Sequence, residues 1–290
     1  MSFSGTKRGP RSSVGRTFFV CAALISACLT AVADARRESP PSDLRYFLER
    51  AADYCDRLSQ TVLDFVCRER VEEWLYPNAG PVRYFSRPKA FSMGGRETHD
   101  FIYDYQLIRD RTGSIRETRT LLKRDKESLR VPGASLETRL FWHARIVMGP
   151  LGLLSREHQL DHDYRVLREE RVGKERALVV EAVPKPGVRL DHLVGTIWLR
   201  VDDAGVLKIE WDPSSMENYA AVERTAERFQ MVPRIVLASE FGFEKNGIRF
   251  PSRFTIKEIY QRGSRRFQRS EIDVLYDQYK FFTVETQVKF

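Results

Sequence analysis

The 290-residue sequence lacks the short motifs that would assign a catalytic chemistry. It has no Gly-x-Ser-x-Gly elbow, no phosphate-binding glycine loop, no His-Glu-x-x-His helix and no Gly-x-Gly-x-x-Gly turn. It also lacks internal repeats, low-complexity tracts and Gly/Ser-rich linkers. These absences exclude repeat proteins and the enzyme classes that depend on those motifs. They favour one domain over residues 36–290 rather than two small ones.

Histidine is scarce, with five residues in the whole chain. His158 and His162 would share one face of a helix and could coordinate a zinc ion, with Asp161 or Asp163 as a third ligand. The segment is short and polar and lies between a helix and a strand, so a solvated capping turn explains it equally well. We therefore expect no metal, no cofactor and no enzymatic activity, and keep a metal-dependent hydrolase using His158 and His162 as an alternative.

The N-terminal 35 residues have the three parts of an export leader. Lys7, Arg8, Arg11 and Arg16 precede an apolar stretch at 17–30, and small residues around Ala33 and Ala35 suit cleavage. The pattern predicts a cleaved signal peptide over 1–35 and a periplasmic or secreted protein. Ile25-Ser26-Ala27-Cys28 also fits a lipobox, so a membrane-tethered lipoprotein acylated at Cys28 is the alternative.

Little positive charge remains once the leader is removed. Without residues 1–33 the chain has 44 Lys+Arg and 40 Asp+Glu, a net charge of +4. This mild excess, in an exported protein, argues against nucleic acid as a partner. It allows contact with a membrane surface through anionic lipid head groups. We expect a monomer.

Cys55 and Cys67 are the two cysteines beyond the leader. Apolar residues recur every three or four positions from Leu44 to Leu58, which predicts a helix, and Leu63, Phe65 and Cys67 alternate as in a strand. On one helix the two cysteines would lie ~18 Å apart, too far for a bridge. A helix that folds back onto the next strand would allow one, and the exported location favours a Cys55–Cys67 disulfide over two free thiols.

Alternating strands with short turns fill most of the remaining chain, which indicates antiparallel neighbours. Asn246-Gly247 is the strongest hairpin turn among them. Helical periodicity predicts two further helices, at 135–148 and 214–231, and residues 150–154 form an apolar segment interpreted as a loop.

The order of these elements resembles the LolA-like superfamily of periplasmic lipoprotein carriers. The likeness covers roughly 42–290 and lies mostly in three segments: Gly195-Thr-Ile-Trp-Leu, Phe243-Glu-Lys-Asn-Gly-Ile-Arg-Phe-Pro-Ser and Tyr276-Asp-Gln-Tyr-Lys-Phe-Phe. The resemblance implies an α+β fold, with a strongly curved antiparallel half barrel whose concave side is covered by a few helices. The chain is longer than the small carriers.

The resemblance implies a non-enzymatic protein that binds a lipid, or the acyl chain of a lipoprotein, in the concave face. Candidates for the lid and rim of that site are Phe141, Trp142, Met148, Leu151, Leu153 and Leu154, which could equally be ordinary core residues. A sensor, regulator or scaffold on the same fold, with an envelope protein as its partner, is the alternative function.

Intact-mass measurement of the exported protein tests the leader. We expect the mature chain to begin at Asp34 or Arg36. A mass that retains residues 1–33 contradicts this, and acyl chains on Cys28 would establish the lipoprotein alternative.

Overall fold

The computed structural model describes residues 42–61, 65–77, 80–81, 91–92, 95–109, 115–188, 192–216 and 219–282. The predicted leader at 1–35, which includes Cys28, lies outside the described residues. Within the described ranges, the helices are too short or too polar to cross a membrane.

An eleven-stranded sheet organises the described chain, and all its neighbouring strands run antiparallel. From edge to edge the strands are β6 (Glu127–Pro132), β5 (Ile115–Arg124), β4 (Glu97–Arg109), β1 (Phe65–Leu75), β15 (Arg265–Phe281), β14 (Arg253–Arg262), β11 (Val232–Glu240), β10 (Val206–Trp211), β9 (Gly195–Arg200), β8 (Glu175–Pro184) and β7 (His162–Val172). The antiparallel arrangement confirms the prediction from short links. The expected strong curl into a half barrel is not detected in this part of the chain.

Two small hairpins and three α-helices complete the architecture. The hairpins pair β2 (Gly80–Pro81) with β3 (Phe91–Ser92), and β12 (Phe243–Lys245) with β13 (Ile248–Phe250). The helices are α1 (Ser42–Thr61), α2 (Gly149–Leu154) and α3 (Tyr219–Phe229), with 3-10 turns at Ile146–Met148, His158–Asp161 and Pro213–Ser215. Asn246 and Gly247 both have positive φ, 52° and 70°, as the predicted two-residue hairpin turn requires.

Helix α1 covers one face of the sheet, as the three- and four-residue spacing predicts. Leu44, Phe47, Ala51, Tyr54 and Leu58 are buried along its inner side. They join the buried side chains of the central strands in one continuous hydrophobic core. We call the sheet face beneath this core the covered face.

The helix predicted at 135–148 is wrong. Residues 133–145, which we call the strap, have no regular structure, and only a 3-10 turn forms at Ile146–Met148. The strap's amide groups bond to the sheet: Ala134 N–H donates to the Arg119 carbonyl, and Arg139 N–H donates to Glu73 Oε1. These tertiary bonds replace the bonds between successive turns that a helix would need.

Two other helical predictions need correction. The apolar segment interpreted as a loop lies within α2, where Pro150 occupies the first turn and Gly149 lies against the Trp211 ring. A Cβ atom at Gly149 would lie 2.7 Å from that ring, so the helix docks closely because this residue has none. Helix α3 is shorter than the predicted 214–231, since a 3-10 turn at Pro213–Ser215 precedes it and Gln230 turns left-handed (φ 52°) after it.

The predicted disulfide is wrong, because Cys55 and Cys67 are both free and buried. Helix α1 does fold back over β1, but Cys55 faces α2, with its Sγ 3.5 Å from the Pro150 carbonyl. Cys67 on β1 interacts instead with the Tyr279 hydroxyl. Burial raises the pKa of both thiols, which suppresses the reactive thiolate.

Thiol titration of the purified protein tests this arrangement. We expect two free thiols that react slowly with a disulfide reagent in the native state and rapidly in denaturant, because burial limits access and ionisation. A mass two units lower, with no thiol that becomes reactive in denaturant, would show that the Cys55–Cys67 disulfide is present after all.

Candidate functional site

Two carboxylates interrupt the apolar residues on the covered face of β1. The inward positions of this strand carry Phe65, Cys67, Glu69, Val71 and Glu73, and all five are buried. Glu69 and Glu73 are both 0% exposed. A buried carboxylate requires compensating partners, so their surroundings define the candidate site.

Glu69 is the centre of a buried polar network. Arg119 on β5 donates from Nε to Glu69 Oε2 at 2.6 Å and from a terminal nitrogen to Oε1 at 3.0 Å. Tyr276 on β15, directly opposite Glu69, donates its hydroxyl to Oε1 at 3.1 Å. The Arg119 guanidinium also lies 4.9 Å from the centre of the Tyr105 ring. Three strands are thereby tied together through one carboxylate.

The strap supplies the third partner of Glu69. His143 Nε2 lies 2.9 Å from Glu69 Oε1, and the His143 ring is buried against Phe254. Burial by itself would raise the pKa of Glu69, but His143 and Arg119 together lower it to about 2. Glu69 is therefore ionised throughout the physiological range and is a weak base.

Three sheet carboxylates hold the strap. Glu69 contacts His143, Glu73 accepts from Arg139 N–H at 2.8 Å, and Glu117 on β5 accepts from Arg145 N–H. At the surface, Arg124 of β5 forms a two-bond ion pair with Glu137 of the strap, at 2.5 and 2.6 Å. The strap is thus attached to the sheet by these polar bonds in addition to the burial of Phe141 in the core.

Glu73 differs from Glu69 because no cationic side chain among the described residues lies at bonding distance from it. Burial raises its pKa, and the backbone N–H groups of Arg139 and Leu140 offset this only in part. Its Oε2 is buried without a hydrogen-bond partner in the described structure. The two carboxyls, four residues apart on one strand, therefore have pKa values displaced in opposite directions.

The six lid and rim candidates occupy different environments. Leu153 and Leu154 on α2 are fully buried, and Phe141 on the strap is 3% exposed. Met148 and Leu151 are half-buried, whereas Trp142 is 70% exposed. The structure brings Phe141 and the two α2 leucines into the core and leaves Trp142 at the surface. Contact of these residues with a ligand remains a prediction.

The predicted histidine pair lies in a 3-10 turn followed by β7, not on a helix. His162 Nδ1 is 2.7 Å from the His158 carbonyl, and His158 Nδ1 is 3.4 Å from Asp161. His192 packs beside both rings, with ring centres 4.8 and 5.4 Å away. Within the described ranges, no three His, Cys, Asp or Glu side chains are placed to hold a metal ion.

Sequence reasoning missed Glu69, Glu73, Arg119 and His143. A usable indication exists in β1, where the alternation Phe65, Cys67, Glu69, Val71, Glu73 puts two acids on an otherwise apolar face. Charged residues at inward strand positions point to buried partners. The identity of those partners depends on strands far apart in sequence.

Comparisons with known proteins give distant structural likenesses only. No protein-family model and no curated protein matches the chain. Among solved structures it is similar to a DUF1329 family protein from Desulfovibrio piger (14% identity, 82% of this chain and 95% of that chain, TM-score 0.38). It is also similar to a LolA superfamily protein from Nitrosomonas europaea (13% identity, 83% and 96%, TM-score 0.34).

A third similar structure is the Pseudomonas aeruginosa MucA/MucB complex (10% identity, 81% of this chain and 99% of that chain, TM-score 0.23). The matches thus include the superfamily that the sequence pattern resembles. At TM-scores below 0.5, none of these likenesses extends to a site or a function.

Replacing Glu69 tests the network. Glu69→Gln should lower the free energy of unfolding by about 3–5 kcal/mol, because the buried Arg119 loses its bidentate partner. Glu72→Gln, on the exposed side of the same strand, should change it by less than about 0.5 kcal/mol. Denaturant unfolding measures both, and equal effects would contradict a central role for Glu69.

Stability should also depend on pH in opposite senses at the two carboxyls. The pKa of Glu69 is about 2 when folded against an ordinary 4.5, so its contribution is present above pH 4.5. About 3 kcal/mol of it should be lost as pH falls toward 2. The pKa of Glu73 is raised, so its contribution is present at low pH and is lost as pH rises through the folded value. Glu73→Gln should remove the loss of stability that accompanies rising pH, as measured by unfolding curves recorded at several pH values. Unchanged pH dependence in this variant would contradict the raised pKa of Glu73.

Proposed function

We propose that this chain is an exported, non-enzymatic protein, periplasmic or secreted, which binds a lipid or the acyl chain of an acylated protein on the covered face of its sheet. The observation that carries the proposal is the strap. It is an irregular segment that crosses an aromatic face and is attached to it by polar bonds to three carboxylates as well as by the buried Phe141.

The face beneath the strap suits an acyl chain. Phe101, Tyr103 and Tyr105 of β4 and Phe254 of β14 are all at most 5% exposed and form part of the continuous core. Each methylene group of a ligand that replaces water there contributes about 0.8 kcal/mol. A tail of a dozen or more methylenes gains enough to compensate for displacing a short segment.

The polar attachment makes such displacement feasible. When the strap lifts, water can solvate the carboxylates of Glu73 and Glu117 and the strap amides that they held, so the net cost of each bond is about 1 kcal/mol. An apolar cover of the same length would lose its whole burial energy. The ligand then covers the aromatic side chains that the strap uncovers.

The charged groups support binding rather than catalysis. Both oxygens of Glu69 are engaged, and its pKa of about 2 makes it a weak general base near neutral pH. Glu73 and Glu117 hold strap amides. We assign all three a positioning role.

A fluorescent fatty acid tests the proposal. Dansyl-labelled undecanoic acid should bind the exported protein with a blue-shifted emission, and unlabelled palmitate should displace it. Glu137→Gln, which removes the surface ion pair with Arg124, should speed probe association by up to about fivefold, because an exposed pair contributes up to about 1 kcal/mol.

The matched control is Glu181→Gln, which removes the exposed Arg165–Glu181 pair between β7 and β8, away from the strap. It should leave the association rate unchanged. If both substitutions speed probe association, the strap does not control access to the site. If the wild-type protein binds no probe, the acyl-binding proposal is wrong.

A further inference from the structure

Positive charge is concentrated at one end of the sheet. The segment 115–145, which comprises β5, β6 and the strap, contains eight Lys or Arg and four Asp or Glu residues, a net charge of +4. The chain from residue 34 onward has 44 basic and 40 acidic residues, so everything outside this segment sums to zero. The whole excess of positive charge in the processed chain therefore lies in these 31 residues.

Most of that charge faces solvent. Six of the basic residues are exposed (Arg116, Arg124, Lys126, Arg130, Arg139 and Arg145), against two exposed acids, Asp125 and Glu127. Arg124 is paired with Glu137 and Arg139 with Glu97, both at the surface. The β5–β6 turn, at one edge of the sheet, and the strap, which runs from that edge across the covered face, thus carry this exposed positive charge.

An aromatic side chain projects from the same segment. Trp142 is 70% exposed, whereas Trp198 and Trp211 are at most 5% exposed and Trp74 is half-buried. Its neighbours Phe141 and His143 point into the core. The indole Nε1–H already donates to the Thr138 carbonyl at 3.2 Å. The ring can therefore move from water into an apolar layer without leaving its N–H group unpaired.

We propose that Trp142 and the exposed basic residues of segment 115–145 form a docking surface for an anionic phospholipid bilayer. Tryptophan favours the boundary between head groups and acyl chains, and arginine and lysine favour lipid phosphates. An acidic protein would also attract these basic residues. Trp142 favours the bilayer instead, because the largest exposed aromatic ring in the described chain suits an interface with an apolar layer. The side chains of this surface are exposed on the strap and on the β5–β6 turn, whereas the acyl-binding proposal concerns the buried residues beneath the strap, so the two proposals can be tested separately.

Vesicle binding of the exported, processed protein tests the docking surface. Vesicles with 30% phosphatidylglycerol in phosphatidylcholine should bind the protein, and pure phosphatidylcholine vesicles should bind it at least tenfold more weakly. Brominated lipids should quench the fluorescence of Trp142. Raising the salt concentration from 0.1 to 0.5 M should release most of the protein.

Substitutions locate the surface. Trp142→Ala should weaken binding at least about fivefold, and the double variant Lys126→Gln/Arg130→Gln should weaken it about fivefold per charge. The controls are Leu160→Ala, a 73% exposed apolar residue, and Arg265→Gln/Arg266→Gln, two exposed basic residues on the β14–β15 turn. They should bind like the wild type.

Equal loss in the controls would reduce the effect to general charge attraction and overturn the proposal. Equal binding to neutral vesicles, or no vesicle binding at all, would overturn it as well. Fatty-acid probe binding by Lys126→Gln/Arg130→Gln separates the two proposals, because these exposed residues have no part in the acyl site and probe binding should remain at the wild-type level whichever way the vesicle result falls.

Discussion

A single buried carboxylate, Glu69, sets the main constraint on this structure. It is fully removed from water and is compensated by Arg119, His143 and Tyr276, which come from β5, the strap and β15. An ionised group in an apolar core is tolerated only when all its partners are in place. The position of the strap and the alignment of these strands are therefore coupled through one side chain.

The strap differs from the other covering elements in how it is attached. Helix α1 covers the sheet with a continuous row of apolar side chains, whose burial is non-directional and tolerant of small shifts. The strap adds hydrogen bonds to Glu69, Glu73 and Glu117, which are directional. One face of the sheet thus combines an apolar cover with a partly polar one.

The sequence predicted elements whose cause is local and missed those whose cause is tertiary. Helix α1 and the Asn246-Gly247 turn follow from spacing and turn chemistry over a few residues. The helix expected at 135–148 failed because its amides bond to Glu73 and Glu117, which an apolar periodicity does not reveal. The disulfide failed for a similar reason, since Cys55 faces α2 and Cys67 interacts with Tyr279. The candidate network escaped detection because Glu69 and Arg119 are 50 residues apart.

The place of β15 in the sheet has a consequence for the order of assembly. This strand, the last that the structure describes, lies between β1 and β14 and is the only bridge between the block β6-β5-β4-β1 and the block from β14 to β7. Until it is present, the two blocks have no shared ladder, and Glu69 lacks Tyr276. Completion of the eleven-stranded sheet must therefore wait for residues 265–281, so the block β6-β5-β4-β1 and the block from β14 to β7 stay unjoined until the last described strand has been made.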